Sequence, residues 1–397
     1  EASQAAAAGK RQATTRVWHR PAAIPPAVTA DGSGAPGVAA FAPPAGSRRL
    51  DGPPAPAAAA GPGEDGGAAP QTVFGETVDV ALTTFSVRAL DPAGEPIPGL
   101  GPQDFTLRVG RRAVPVRAVD FYSAAPEHRL AARLAASPDA VGRGAAGLTV
   151  PVLEPPPRLI VLFVQADLHA LRVRGHLKML PFVERLLAEL PPRDRVAVVS
   201  FDSHLKLWQD FTLDRERAHA AVWDGIRFGG RPWPRSAEGV SLARRWDEEA
   251  ARDAAQPERA LELVADALAA LPGEKGIIFL GWGLGRFGAG GFQLRPDYRP
   301  ALAALGRARA TVFVLDVADA AYHSLELGLR QVAADTGGTY AKTAEFPSSA
   351  VGRLVSTLAS WYVLTVATAD LPADGGEVRV ALSGRRGQVL VGRLGGR

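Results

Sequence analysis

Three groups of residues in this 397-residue chain have types and spacings from which chemistry could be built. Ser200, Ser203 and His204 bring hydroxyls and an imidazole close together, the raw material of nucleophilic catalysis. No G-x-S-x-G elbow surrounds them, and neighbours along a strand point to opposite faces, so the sequence predicts no enzyme. Gly283-Leu284-Gly285-Arg286-Phe287-Gly288 has the form GxGxxG behind an apolar run, as dinucleotide sites do. Ala289-Gly290-Gly291 follows where a helix would have to begin at once to offer its N-terminus to phosphate, so these glycines read as a bending surface loop. His169 and His176 stand seven apart, whereas a zinc pair on a helix stands three or four apart, and they read as partly exposed histidines.

Composition narrows the classes further. The net charge is +4 with a pI near 9.6, because the cations are almost all arginine; lysine occurs only at positions 10, 178, 206, 275 and 342. The arginines are scattered and form no basic stripe beside aromatics, which argues against nucleic acid as a partner. Without cysteine there are no disulfides, thiolate metal sites or cysteine nucleophiles. No apolar run approaches the roughly 18 residues that span a bilayer, the strongest being Leu159 to Val164. The chain opens on Glu1 and its one methionine is Met179, so a processed or trimmed product is expected, and a removed signal peptide would fit.

The elements that must position any site follow from hydrophobic periodicity. Residues 1–71 are rich in alanine, proline and glycine and bury too little apolar surface to offset ordering entropy, so a disordered segment is expected. Over 72–122 apolar residues alternate, as at Phe85, Val87, Ala89 and Phe105, Leu107, Val109, which predicts a small β unit. Residues 123–157 read as a linker with one helix near 127–136. From 158 to 368, apolar strands at 159–164, 195–201, 276–280 and 311–317 alternate with helices at 176–190, 213–223, 258–271, 300–310, 324–334 and 348–358. That alternation predicts a mostly parallel α/β sheet with helices on both faces. An edge strand at 205–211 and a last strand at 361–368 complete it. Residues 369–397 predict an exposed β hairpin across Ser383 to Gly387 that could pair with the 72–122 unit.

Three segments resemble the von Willebrand factor type A (VWA)-related family of secreted bacterial proteins. Gly99-Leu100-Gly101-Pro102-Gln103-Asp104-Phe105-Thr106-Leu107 is similar to the GL-x-x-x-DF-x-L segment that precedes the domain in that family. Leu159 to Val164, a polar loop, and then Asp194 to Phe201 look like the first two VWA strands. Ala333-Ala334-Asp335-Thr336-Gly337-Gly338-Thr339-Tyr340 is close to the A-x-x-TGG-x-[YF] before the last helix. The resemblance covers about 72 to 397 and implies a doubly wound, mostly parallel, Rossmann-like VWA sheet with its ligand site at the strand ends.

In metal-binding VWA domains the loop after the first strand is Asp-x-Ser-x-Ser, because a hard cation such as Mg²⁺ takes small oxygen donors. Here the aligned positions are Gln165, Asp167 and His169, and no carboxylate stands in Leu280-Gly281-Trp282-Gly283 where the distal aspartate belongs. The resemblance therefore implies a degenerate metal motif, with no metal and no other cofactor; a shifted register using Asp167 and Asp202 with His169 is the one metal reading kept. Trp233 and Trp282 fall in loops that this fold would bring to the same strand ends. They are either interface anchors or fillers of the space that the metal motif left. Asp167, for its part, either serves binding or caps a helix.

The reading is a secreted or periplasmic, non-catalytic adhesion or scaffold module. It recognises a protein partner through Gln165, Asp167, His169, Trp233 and Trp282. The alternatives are a divergent metal-dependent adhesion domain at Asp167, or a structural subunit that self-assembles through its β segments.

Overall fold

The computed structural model describes residues 15–18, 81–135, 152–227, 239–373 and 376–393. Of the segment 1–71, expected to be disordered, β1 (Thr15–Trp18) is described as a strand and the rest lies outside the described residues. β2 (Leu82–Leu90), β3 (Phe105–Val109), β4 (Arg112–Val114) and β5 (Ala118–Ser123) follow. In β3 the alternation is plain: Phe105, Leu107 and Val109 are buried while Thr106 and Arg108 face water. The stretch expected as a linker holds α1 (Pro126–Ala135) and β6 (Val152–Leu153), the latter paired with β5.

Strands and helices then alternate: β7 (Leu159–Gln165), α2 (Ala170–Glu189), β8 (Arg195–Phe201), β9 (Leu205–Thr212), α3 (Arg215–Arg227), α4 (Glu248–Asp253) and α5 (Pro257–Ala269). After β10 (Lys275–Gly281) comes a short hairpin of β11 (Arg286–Gly288) and β12 (Gly291–Gln293), where the GxGxxG stretch lies. The chain continues through α6 (Tyr298–Ala308), β13 (Ala310–Asp316), α7 (Glu326–Thr336), β14 (Tyr340–Lys342) and α8 (Pro347–Ala359). It ends in β15 (Ser360–Ala367), β16 (Gly376–Leu382) and β17 (Gln388–Arg393).

Six of these strands form one sheet in the order β14-β13-β10-β7-β8-β9, parallel except for β9. Every residue of β7, β10 and β13 is buried, because helices cover the sheet on both sides. Successive side chains of β7 serve different cores. Leu159, Val161 and Phe163 pack with Leu261, Leu268, Leu305 and Leu329 of α5, α6 and α7. Ile160, Leu162 and Val164 pack with Leu180, Val183, Val222 and Leu354 of α2, α3 and α8.

Two further sheets, β1-β16-β3-β4 and β17-β2-β15-β5-β6, share a third core in which Phe85, Val87, Phe105, Leu107, Phe121, Tyr362 and Val380 meet. Two expectations change here. The run 361–368 was expected to end the parallel sheet; β15 instead lies between β2 and β5, antiparallel to both. Tyr362 fixes it there, packing on Phe105 and Phe121 and donating its hydroxyl to the Ile97 carbonyl at 2.7 Å. The final two strands were expected as a hairpin, but they separate into different sheets, β16 beside β3 and β17 beside β2.

Candidate functional site

The strand order reverses at β7: the chain moves to β8 on one side, then returns to place β10 on the other. A crevice opens at such a point beyond the carboxyl ends of the strands. Gln165, the last residue of β7, spans it. Its amide Nε2 donates to the Gly283 carbonyl at 2.8 Å, and its Oε1 accepts from the Trp282 and Gly283 N–H groups at 2.9 and 3.1 Å. Gln165 is buried, so it clamps two loops together and offers a partner nothing to touch, contrary to its expected binding role.

Asp167 begins the next layer. Its Oδ1 accepts from the His169 N–H at 2.7 Å, a local turn that starts α2, and its Oδ2 pairs with Arg172. The Arg172 guanidinium carbon lies 3.3 Å from the centroid of the Trp282 ring. Asp167, Arg172 and Trp282 are therefore one stacked group laid over the Gln165 clamp, and a guanidinium supplies the positive charge beside Asp167. His169 is exposed in the same loop, and Trp233 lies outside the described residues. Asp202, the other aspartate of the alternative metal register, is already engaged within its own turn. Asp202 accepts from Lys206 at 2.6 Å and from the Ser203 hydroxyl at 3.1 Å. Burial would raise its carboxyl, but the Lys206 ammonium and the Ser203 and His204 N–H groups outweigh burial and hold it below the ordinary value.

The hydroxyls near His204 form no relay. Ser200 is buried and accepts from the Trp208 indole at 2.7 Å. Ser203 touches both Asp202 and His204 within one tight turn, so the carboxylate bonds the hydroxyl and not the far side of the imidazole.

Two features of this end of the sheet went unread in the sequence. The first is a set of exposed apolar side chains on the loops and first helical turns that follow the strands. Leu168 is 80% exposed, Tyr322 69% and Phe346 69%, and Leu171, Phe287 and Leu327 are exposed with them. Cationic side chains join these loops. Arg174 of α2 pairs with Asp319 at 2.6 Å, Lys178 of α2 bonds the Ala344 carbonyl, and Lys342 bonds the Ala321 carbonyl. The second feature is a polar knot at the end of β13. Asp316 Oδ2 lies 2.8 Å from His323 Nε2 and accepts from the Tyr340 hydroxyl at 2.6 Å. Glu326 is buried next to them, paired with Lys342 and Arg330. Burial, followed by the hydrogen bond to Asp316, pushes the Tyr340 phenol up.

His176, expected to be partly exposed, instead lies buried on α2, with Nδ1 2.9 Å from the Arg172 carbonyl. Burial holds its imidazole below the usual value of 6.5, against the pull of the Arg172 and Leu280 carbonyls and of Asp167. Below pH 6.5 the unfolded chain takes up a proton at this residue that the fold does not. The contribution is thus complete above the unfolded value and is lost as pH falls below it, with a slope of at most about 1.4 kcal/mol per pH unit. Urea midpoints measured from pH 8 to pH 5.5 are expected to fall more steeply for the wild type than for His176→Gln; parallel curves would remove His176 as the cause.

No family model matches the chain, and no curated protein matches it. Among solved structures the chain is similar to the BatB protein of Bacteroides thetaiotaomicron at 16% identity, over 51% of this chain and 99% of that one, with a TM-score of 0.33. It is similar to the vWF domain of the type V pili tip protein Mfa5 of Porphyromonas gingivalis at 12% identity, over 51% and 95%, with a TM-score of 0.33. Proximal thread matrix protein 1 of the mussel byssus matches at 12% identity over 53% of this chain, with a TM-score of 0.34. The chain spans about half the length of that mussel protein, 49%.

Proposed function

We propose that the chain is a VWA-like, doubly wound binding module of a secreted or periplasmic protein, non-catalytic, which takes a protein partner on the strand-end face. The observation that carries this reading is the set of exposed apolar side chains Leu168, Leu171, Phe287, Tyr322, Leu327 and Phe346 on segments that follow the strands, where ion pairs and hydrogen bonds tie α2 to the loops after β13 and β14. Apolar side chains gathered at one end of a sheet, with charged groups between them, are what a partner can desolvate. Asp167 and Trp282 support that face from beneath, through Arg172, and His169 stands exposed at its edge. Among the described residues no helix is long and apolar enough to cross a membrane.

The test places a photo-reactive residue at position 322 or 168 and, as a control, at position 130 on α1, in extract of the native host. A discrete crosslinked species is expected from 322 and 168 alone. Leu168→Ser/Tyr322→Ser/Phe346→Ser is expected to lose that partner by more than tenfold, since one or two interface anchors are each worth over about 1 kcal/mol, with an unchanged unfolding midpoint. Equal crosslinking from position 130, or capture by the triple variant at wild-type strength, rejects the face. Loss of capture only on deleting 369–397 would favour self-assembly through the β segments.

A further inference from the structure

The polar knot at the end of β13 has the build of a divalent-cation site, and it is separate from the Asp167 loop. Its three donors come from three places: Asp316 from the last position of β13, His323 from the following loop, and Glu326 from the first turn of α7. One ligand atom from each lies within 4.8 Å of the other two. Around a tetrahedral Zn²⁺ with bonds of about 2.0–2.2 Å, donor atoms stand about 3.3 Å apart, so small side-chain shifts close the set.

The shell around the donors prepares them. The Ala318 N–H holds Asp316 Oδ1 at 3.1 Å, and Arg330 Nε holds Glu326 Oε1 at 3.3 Å. Each carboxylate is thus anchored by one oxygen while its other oxygen faces the knot, as outer partners do for metal ligands. The Tyr340 hydroxyl steadies Asp316 Oδ2 at 2.6 Å. Glu326 Oε2 is buried and lies within 4.8 Å of the other two ligand atoms. The Lys342 ammonium at 2.5 Å neutralises it as an ion pair, while another of the three N–H groups of that ammonium serves the Ala321 carbonyl. Glu326 itself is 6% exposed, whereas the Lys342 side chain is 29% exposed and can swing to water.

We infer that Asp316, His323 and Glu326 form a site for one borderline divalent cation, Zn²⁺ foremost, which enters by displacing the Lys342 ammonium. One imidazole with two carboxylates suits Zn²⁺ better than Mg²⁺, and a water completes four ligands. On ligation His323 carries its ring proton on Nδ1 and gives the Nε2 lone pair to the ion. A bound ion fixes residues 317–325, the loop that presents Tyr322.

The full-length chain is titrated with ZnCl₂ by calorimetry and with CoCl₂ by visible absorption, neither of which needs a partner, so this site and the proposed partner face stand or fall separately. The wild type is expected to bind one Zn²⁺ and to give Co²⁺ bands of a nitrogen and oxygen donor set. His323→Ala and Glu326→Gln are each expected to weaken binding at least tenfold. Lys342→Met, which removes the competing ammonium, is expected to tighten it at least tenfold, and Asp167→Ala to leave it unchanged. The wild type failing to take up one Zn²⁺ overturns the site whatever Lys342→Met does, and so does binding that survives His323→Ala at full strength.

Discussion

Asp194→Ala is expected to destabilise the fold by about 3–5 kcal/mol, the cost of leaving one partner of a buried ion pair alone. Asp194 and Arg158 are only 2% and 5% exposed. Three donors hold the carboxylate: Arg158 Nε and Nη2 both donate to Asp194 Oδ2, at 3.0 and 2.6 Å, while the Arg158 backbone N–H donates to Oδ1 at 3.0 Å. Arg158 also bonds the Leu358 carbonyl at the end of α8 and lies over the Trp361 ring. One carboxylate thus ties the starts of β7 and β8 to the point where the chain enters β15. Register set at this end is carried along fully buried strands to Gln165 and Phe201 at the other, so the loss reaches the strand-end loops. The double change Arg158→Met/Asp194→Leu is expected to recover part of the loss, because no lone charge remains, but not all, since the Leu358 carbonyl and the residue 158 N–H lose their partners. Urea unfolding of the three proteins decides it: an Asp194→Ala midpoint within about 1 kcal/mol of wild type would mean that water reaches the pair.

Much of the framework was legible because burial on both faces leaves a strand no polar alternation. The runs at 159–164, 195–201, 276–280 and 311–317 are continuous and apolar, and β7, β8, β10 and β13 sit within a residue or so of them. The start of α2 was not legible. A helix was expected from His176 and begins at Ala170, because Arg172 and Arg174 break the apolar stripe while the Asp167 turn, invisible to periodicity, sets the first turn. Sheet membership was illegible for β15: an apolar run states that it is buried, not beside which strands. At the site, Gln165 and Asp167 were legible as polar residues in the loop after an apolar strand. The partner of Asp167, Arg172, stands five residues beyond it across a helix start, and no motif marks that distance. The knot at Asp316 was hidden for a similar reason, since its residues span 316 to 342 and only the return of β14 beside β13 brings Tyr340 and Lys342 to it.

The Thr336-Gly337-Gly338 segment has a physical reason for each residue, and the contrast with a third glycine tests it. Thr336 accepts from the Val312 N–H at 3.0 Å and donates to the Val332 carbonyl at 2.7 Å, so the end of α7 is stitched to β13. Gly337 caps α7 with a φ of +73°, and a Cβ there would lie 2.3 Å from the Val391 carbonyl oxygen in β17. A Cβ on Gly338 would lie 2.0 Å from the Val312 carbonyl oxygen. These are backbone obstacles that no rotamer change relieves. Gly337→Ala is therefore expected to cost about 2–5 kcal/mol, joining left-handed strain of roughly 1–2 to an overpacking cost of roughly 1–3. Gly338→Ala carries the overpacking cost alone. Gly352 in the middle of α8 has open space where its Cβ would stand, so Gly352→Ala is expected to stabilise by up to about 1 kcal/mol. Because Gly337 abuts β17 and Gly338 abuts β13, the segment holds the parallel sheet and the C-terminal strands at one fixed separation. Unfolding midpoints in the order Gly352→Ala above wild type, then Gly338→Ala, then Gly337→Ala support that role; a Gly337→Ala protein as stable as Gly352→Ala would show that β17 yields and that the segment sets no separation.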